Sequence, residues 1–181
     1  MKEKQLIRRY KAEYGRKDGP MNQDLEEVKN LKSKATVDEF LFRCVCNRKR
    51  HQRRIRTKDV ENAVRKLKDK IDNLKECADF EELYDTVFNL IGNGNTGISY
   101  CTVYDTCIRM SYALKPAILP NEYVYVHRHL IKEANKLLER GFIEDKCRIK
   151  RRVFEEKDDA FKDMSSLEIE DYLCVKELLI K

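Results

Sequence analysis

Three prolines and six glycines are all the strong helix breakers in 181 residues, and three of those glycines, Gly92, Gly94 and Gly97, stand within one six-residue stretch. A chain so rarely interrupted folds into helices wherever apolar residues recur at a helical period. They do so along most of this sequence. Leu25, Val28 and Leu31 mark a helix over about Asp24 to Lys32. Thr36 and Glu39 form a capping box that opens a helix carrying Phe40, Leu41, Cys44 and Val45 inward. A new start at Thr57, with Asp59 and Glu61 favourable to the helix dipole, leads a stripe of Val60, Ala63, Val64, Leu67, Ile71 and Leu74 to about Lys75. Asp79 caps a further helix that buries Phe80, Leu83, Val87 and Phe88.

Beyond the glycines, helices are expected over about Ser99 to Ala113 and Arg128 to Arg140, the latter closed by Gly141. Ser165 and Glu168 make a second capping box that opens the last helix. Alternation at Tyr123 to Val126 reads as a strand, and Cys147 to Phe154 as a second short one. The expected fold is all-α: a helical bundle with at most a short two-stranded element, in one domain over residues 1–181. Residues 1–20 read as a flexible N-terminal segment, with Leu6, Ile7 and Tyr10 able to dock as one turn.

No run of about 18 apolar residues is present, so no membrane partner is expected. Seven cysteines without regular spacing do not make a secreted disulfide framework. The expected compartment is the cytoplasm, with reduced thiols packed as small apolar groups.

Charge is distributed unevenly. Residues 43–70 hold twelve Lys/Arg against three acids, a net +9, whereas residues 153–181 hold four Lys against nine acids, a net −5. A basic centre of that density suits a polyanion. Its densest part is Arg48, Lys49, Arg50, Arg53, Arg54 and Arg56, with His51 and Gln52 among them. Each cation placed on phosphate would release counterions, making the binding salt-sensitive. A solvated linker is the plain alternative. The acidic tail could also cover the basic centre of the same chain or of a second copy, which allows a homo-oligomer.

The stretch FNLIGNGNTGIS, Phe88 to Ser99, fits several patterns. Gly92, Gly94 and Gly97 spell the dinucleotide fingerprint, but that needs a preceding strand, and Glu122 is too far away for the ribose acid. A phosphate loop would need lysine where Ile98 stands. The third pattern places a helix ending at Leu90-Ile91, a turn at Gly92-Asn93-Gly94, and a second helix. Over residues 87–112 this resembles the helix-hairpin-helix superfamily of DNA-binding and DNA-repair proteins. The resemblance implies that the turn's backbone amides grip a phosphate. In this chain Asn93 occupies a place that is usually apolar in the family. The fourth reading is a plain loop. The runs Thr102 to Thr106 and Val124 to His127 are also similar to a group of uncharacterised bacterial proteins, which implies no activity.

Cys44-x-Cys46 with His51, and His127-x-His129, fall short of a zinc site, so neither metal nor cofactor is expected. Asp105 and Arg109 have the spacing of a surface pair. The leading expectation is a DNA- or RNA-binding protein that contacts phosphate through Arg48 to Arg56 and the glycine turn. A glycosylase-like enzyme using Glu122 or Asp105 is the first alternative, and a protein–protein adaptor the second.

Overall fold

The structure is a computed structural model that describes residues 3–14, 20–46, 55–92, 97–114, 118–126, 129–139 and 147–180. The described residues are helical apart from a two-stranded antiparallel sheet and short turns, as the sequence periods require. They gather into two compact units. A central unit spans Met21–Leu119, and a terminal unit joins Met1–Pro20 to Pro120–Lys181.

The central unit contains α2 (Pro20–Lys32), α3 (Val37–Val45), α4 (Thr57–Lys68), α5 (Ile71–Glu76), α6 (Phe80–Val87), a π-helical turn (Phe88–Gly92) and α7 (Tyr100–Leu114). Thr36 caps α3 through the expected reciprocal box with Glu39. Asp79 caps α6 by accepting from the Glu82 amide. The stripe expected to run unbroken to Lys75 is divided. α4 stops at Lys68, and Lys70, at φ −122° and ψ 12°, restarts the chain as α5. Neither residue at that break is a proline or glycine, so the sequence carried no signal for it.

α7 lies at the centre of this unit. It carries no lysine or glutamate, and residues around its whole circumference are buried. Such a helix must satisfy its own hydroxyls. Thr106 Oγ1 donates to the Thr102 carbonyl at 2.6 Å, and Ser111 Oγ to that of Ile108 at 3.0 Å. Arg109 is also inside, 3% exposed, so the expected surface pair with Asp105 is corrected. Its Nε donates to Asp24 Oδ2 and its Nη1 to the Cys44 carbonyl, both at 2.8 Å, while Asp105 stands 4.0 Å off. Arg43 completes the group by donating to Asp24 at 2.7 Å and Glu27 at 2.8 Å. Three helices, α2, α3 and α7, are thereby joined through one buried carboxylate.

The terminal unit contains α1 (Glu3–Glu13), β1 (Tyr123–Tyr125), α8 (His129–Leu138), β2 (Arg148–Lys150), α9 (Arg151–Lys157), a 3-10 turn (Asp159–Phe161) and α10 (Ser166–Leu179). Val124 pairs with Ile149 across the sheet, and both are fully buried. The second strand is shorter than expected, because the chain turns helical at Arg151. α1 extends well beyond the single docked turn read from the sequence. Leu6, Ile7 and Tyr10 enter the core, and Arg9 Nη1 donates to the Leu179 carbonyl at 2.7 Å. The acidic C-terminal segment is folded rather than a loose tail: Phe154, Phe161, Tyr172 and Leu179 are fully buried. The rings of Phe154, Phe161, Tyr172 and Tyr10 meet edge to face in succession, with centroids 5.6–5.9 Å apart, a favoured aromatic geometry.

Candidate nucleic-acid interface

α4 is amphipathic with charge on its outer side. Val60, Ala63, Val64 and Leu67 are buried, while Arg56, Lys58, Arg65, Lys66, Lys68 and Lys70 are exposed at its surface and ends. Arg56 occupies the N-cap position without capping; its guanidinium instead grips Asp59, Nε to Oδ2 at 2.7 Å and Nη2 to Oδ1 at 3.1 Å. The bond to Asp59, then its charge, raises the Arg56 pKa further. The Arg56 side chain is 79% exposed and the Asp59 side chain only 10%.

The Asp59 carboxylate also lies against the glycine-rich turn. Gly97 has φ +69°, and a Cβ there would overlap Asp59 Oδ2 and stand 2.7 Å from its Cγ. Both the backbone and the space therefore demand glycine. Arg56 and Gly97, two of the expected site residues, are thus brought together, with Asp59 between them. The sequence suggested Asp59 only as a dipole partner, and nothing local announced this second role.

Gly92 ends the π-helical turn in close packing. A Cβ there would come within 2.7 Å of Phe88 Cδ2 and 3.0 Å of Val103 Cγ2. Beside it α6 packs against α7, and Phe80 meets Tyr104 edge to face at 6.0 Å. A π-helical turn, not a strand, precedes Gly92, so the dinucleotide fingerprint lacks its context. Lys66 Nζ donates to the Leu90 carbonyl at 2.9 Å, tying α4 to this turn. Arg48, Lys49, Arg50, Arg53, Arg54 and Gly94 lie outside the described residues.

On the side where a Cβ would stand, Gly92 meets Phe88 and Val103, and Gly97 meets the Asp59 carboxylate that Arg56 neutralises. Among the described residues Lys58 and Lys70 have no acidic partner, while Lys68 pairs with Asp38 at 3.0 Å in the open. Such exposed pairs exchange readily for phosphate, because they contribute little stability.

The groups named for chemistry are less suggestive. Glu122 is exposed in the terminal unit, in a hollow of about 320 Å³ shared with Asn121, Lys150, Arg151, Arg152 and Glu155. Asp105 is partly buried beside Arg109 and the Cys101 thiol. Burial pushes the Cys44 thiol up to about 12, leaving it protonated and a poor metal ligand. Among the described residues no three His, Cys, Asp or Glu side chains are grouped to hold a metal. No helix among them is long and apolar enough to cross a membrane. In the terminal unit a hollow of about 600 Å³ is lined by Glu3, Glu133, Lys136 and Lys176 among others. Its charges are paired internally, Lys176 with Glu3 at 2.8 Å and Glu133 with Lys136 at 2.7 Å. Compared with family models, curated proteins and solved structures, the chain has no significant match.

Proposed function

We propose that the protein binds nucleic acid through the basic segment 43–70 of its central unit, without chemistry of its own. The observation that carries this reading is the build of α4: its apolar stripe is consumed by the core, so its cations face outward on a rigid helix. A fixed row of cations neutralises successive phosphates with less ordering cost than a mobile one. Arg48 to Arg54, next to the start of α4 in sequence, add the densest charge. The resemblance to the helix-hairpin-helix superfamily supports the same kind of partner, with side-chain cations holding the phosphates.

The test is fluorescence anisotropy of labelled DNA and RNA at several salt concentrations. Log affinity should fall linearly with log salt, and Lys58→Glu and the double change Arg53→Ala/Arg54→Ala should each weaken binding and flatten the slope. Unchanged affinity in both variants would defeat the proposal.

A protein partner is the second reading, favoured by one feature of the same unit. Leu31, Phe42 and Val64 floor a groove of about 620 Å³ between α2, α3 and α4, rimmed by both signs of charge. An adaptor of this kind would bind no polyanion at low salt.

A further inference from the structure

Three aromatic rings rise from the core to the surface beside the glycine turn. Tyr84 is buried, 1% exposed, and lies parallel to Phe88, with centroids 6.2 Å apart and planes 20° from parallel. Phe88 is half-buried and stacks on Tyr100 at 5.3 Å and 26°. Tyr100 ends the series at 43% exposure, among the most exposed large apolar side chains described. Phe88 packs against its ring on one side, and 43% of the residue remains exposed. A ring already held by a stacked neighbour loses little freedom when something stacks on its exposed part.

The cations stand close by. Tyr100 follows Gly97 by three residues, a reach of about 10 Å at most. Gly97 touches the Asp59 carboxylate that Arg56 grips. At the other end of the turn, Lys66 holds the Leu90 carbonyl. Ring and guanidinium are therefore at most about 20 Å apart, the span of a few nucleotides. Resting on the reading above, we infer that this surface takes unpaired bases. Tyr100 forms a stacking platform for a nucleobase of single-stranded DNA or RNA, while Arg56 and its neighbours on α4 hold the adjoining phosphates.

Chemistry favours single strands over a duplex. Bases inside a duplex are already stacked on both faces, whereas an unpaired base offers a π-face to any ring. Every base has such a face, so the platform discriminates strandedness and not sequence. The sugar plays no part in it, so DNA and RNA strands engage it alike unless another contact reads the 2′-hydroxyl.

The experiment compares four labelled probes of equal length: single-stranded DNA, single-stranded RNA, the DNA duplex, and an abasic single strand with the same phosphates. Each is titrated against the full chain and against Tyr100→Ala and Tyr100→Phe. Tyr100→Ala should lose about five- to a hundredfold in affinity for base-bearing single strands. It should leave the abasic strand and the salt slope unchanged, and Tyr100→Phe should restore binding. Equal binding of single-stranded, duplex and abasic probes, untouched by Tyr100→Ala, would overturn the platform while leaving the polyanion reading in place. Failure of every probe to bind at low salt would overturn both. Because Tyr100 is exposed, circular dichroism should show both variants folded; loss from the abasic strand too would mean a general disturbance and would also count against the platform.

Discussion

The two units hold themselves together differently. At the heart of the central unit is an ion network, with Arg109 and Arg43 on the Asp24 carboxylate, whereas the terminal unit is closed by aromatic edges and apolar side chains. Both units bury apolar area, but the first adds a buried charge that must stay charged, whereas the second relies chiefly on area removed from water. Exposed charge differs too: α4 spends its apolar side on the network-bearing unit and leaves its cations to solvent, while the terminal unit pairs Lys176 with Glu3 and Glu133 with Lys136.

The largest expected effect breaks each unit at its own joint. Arg109→Ala leaves the buried Asp24 carboxylate with Arg43, takes the donor from the Cys44 carbonyl, and should cost about 3–5 kcal/mol. Phe161→Ala leaves a cavity among Phe154 and Tyr172 and should cost about the same. Denaturant titration gives the totals. Hydrogen exchange followed by peptide should show Arg109→Ala opening residues 21–119 first, and Phe161→Ala opening the termini.

Acid should separate the units without any mutation. Burial alone would raise the Asp24 carboxyl, but the charges and hydrogen bonds of Arg109 and Arg43 outweigh it and hold it below its ordinary 3.8. A depressed carboxyl contributes stability above its unfolded value and loses it as pH falls through the folded one. Exchange in the central unit should therefore quicken below about pH 4 ahead of the terminal unit. Alkali should loosen both. Burial raises the Cys44 and Cys107 thiols in one unit, and burial with Asp171 and Glu3 as partners raises the Tyr10 and Tyr172 phenols in the other. Raised groups stabilise below their unfolded values, 9.0 and 10.0 here, and lose that contribution above them. Equal loosening of the units in acid would contradict the contrast.

Gly97→Ala comes next. It sets a side chain at positive φ against Asp59 and should cost about 1–3 kcal/mol, confined to the central unit. The smallest effects sharpen the comparison most finely. Thr36→Ala and Ser165→Ala remove one capping box from each unit, at about 1 kcal/mol apiece, and thermal melts of the pair should shift alike.

Those caps were legible because their partners lie three residues apart. The all-α plan and the brief strand pair were legible for the same reason, being written in local periods and scarce breakers. The ion network was not: Asp24 and Arg109 are 85 residues apart, and only folding reveals that the pair is internal. α1 was obscured because its short apolar set, Leu6, Ile7 and Tyr10, sits among basic residues that read as a frayed end. At the candidate interface the basic segment announced itself by density alone. Tyr100 did not, because one exposed tyrosine in a helical period looks like any other until Phe88 is seen beneath it.

The central claim places the nucleic-acid surface on the central unit, and hydrogen exchange with and without a single-stranded oligonucleotide at low salt tests it most directly. Protection is expected in peptides covering residues 43–70 and 88–103, fading as salt rises, with residues 120–180 unchanged. Protection confined to the terminal unit's basic run at Arg148, Lys150, Arg151 and Arg152, or none anywhere, would contradict it.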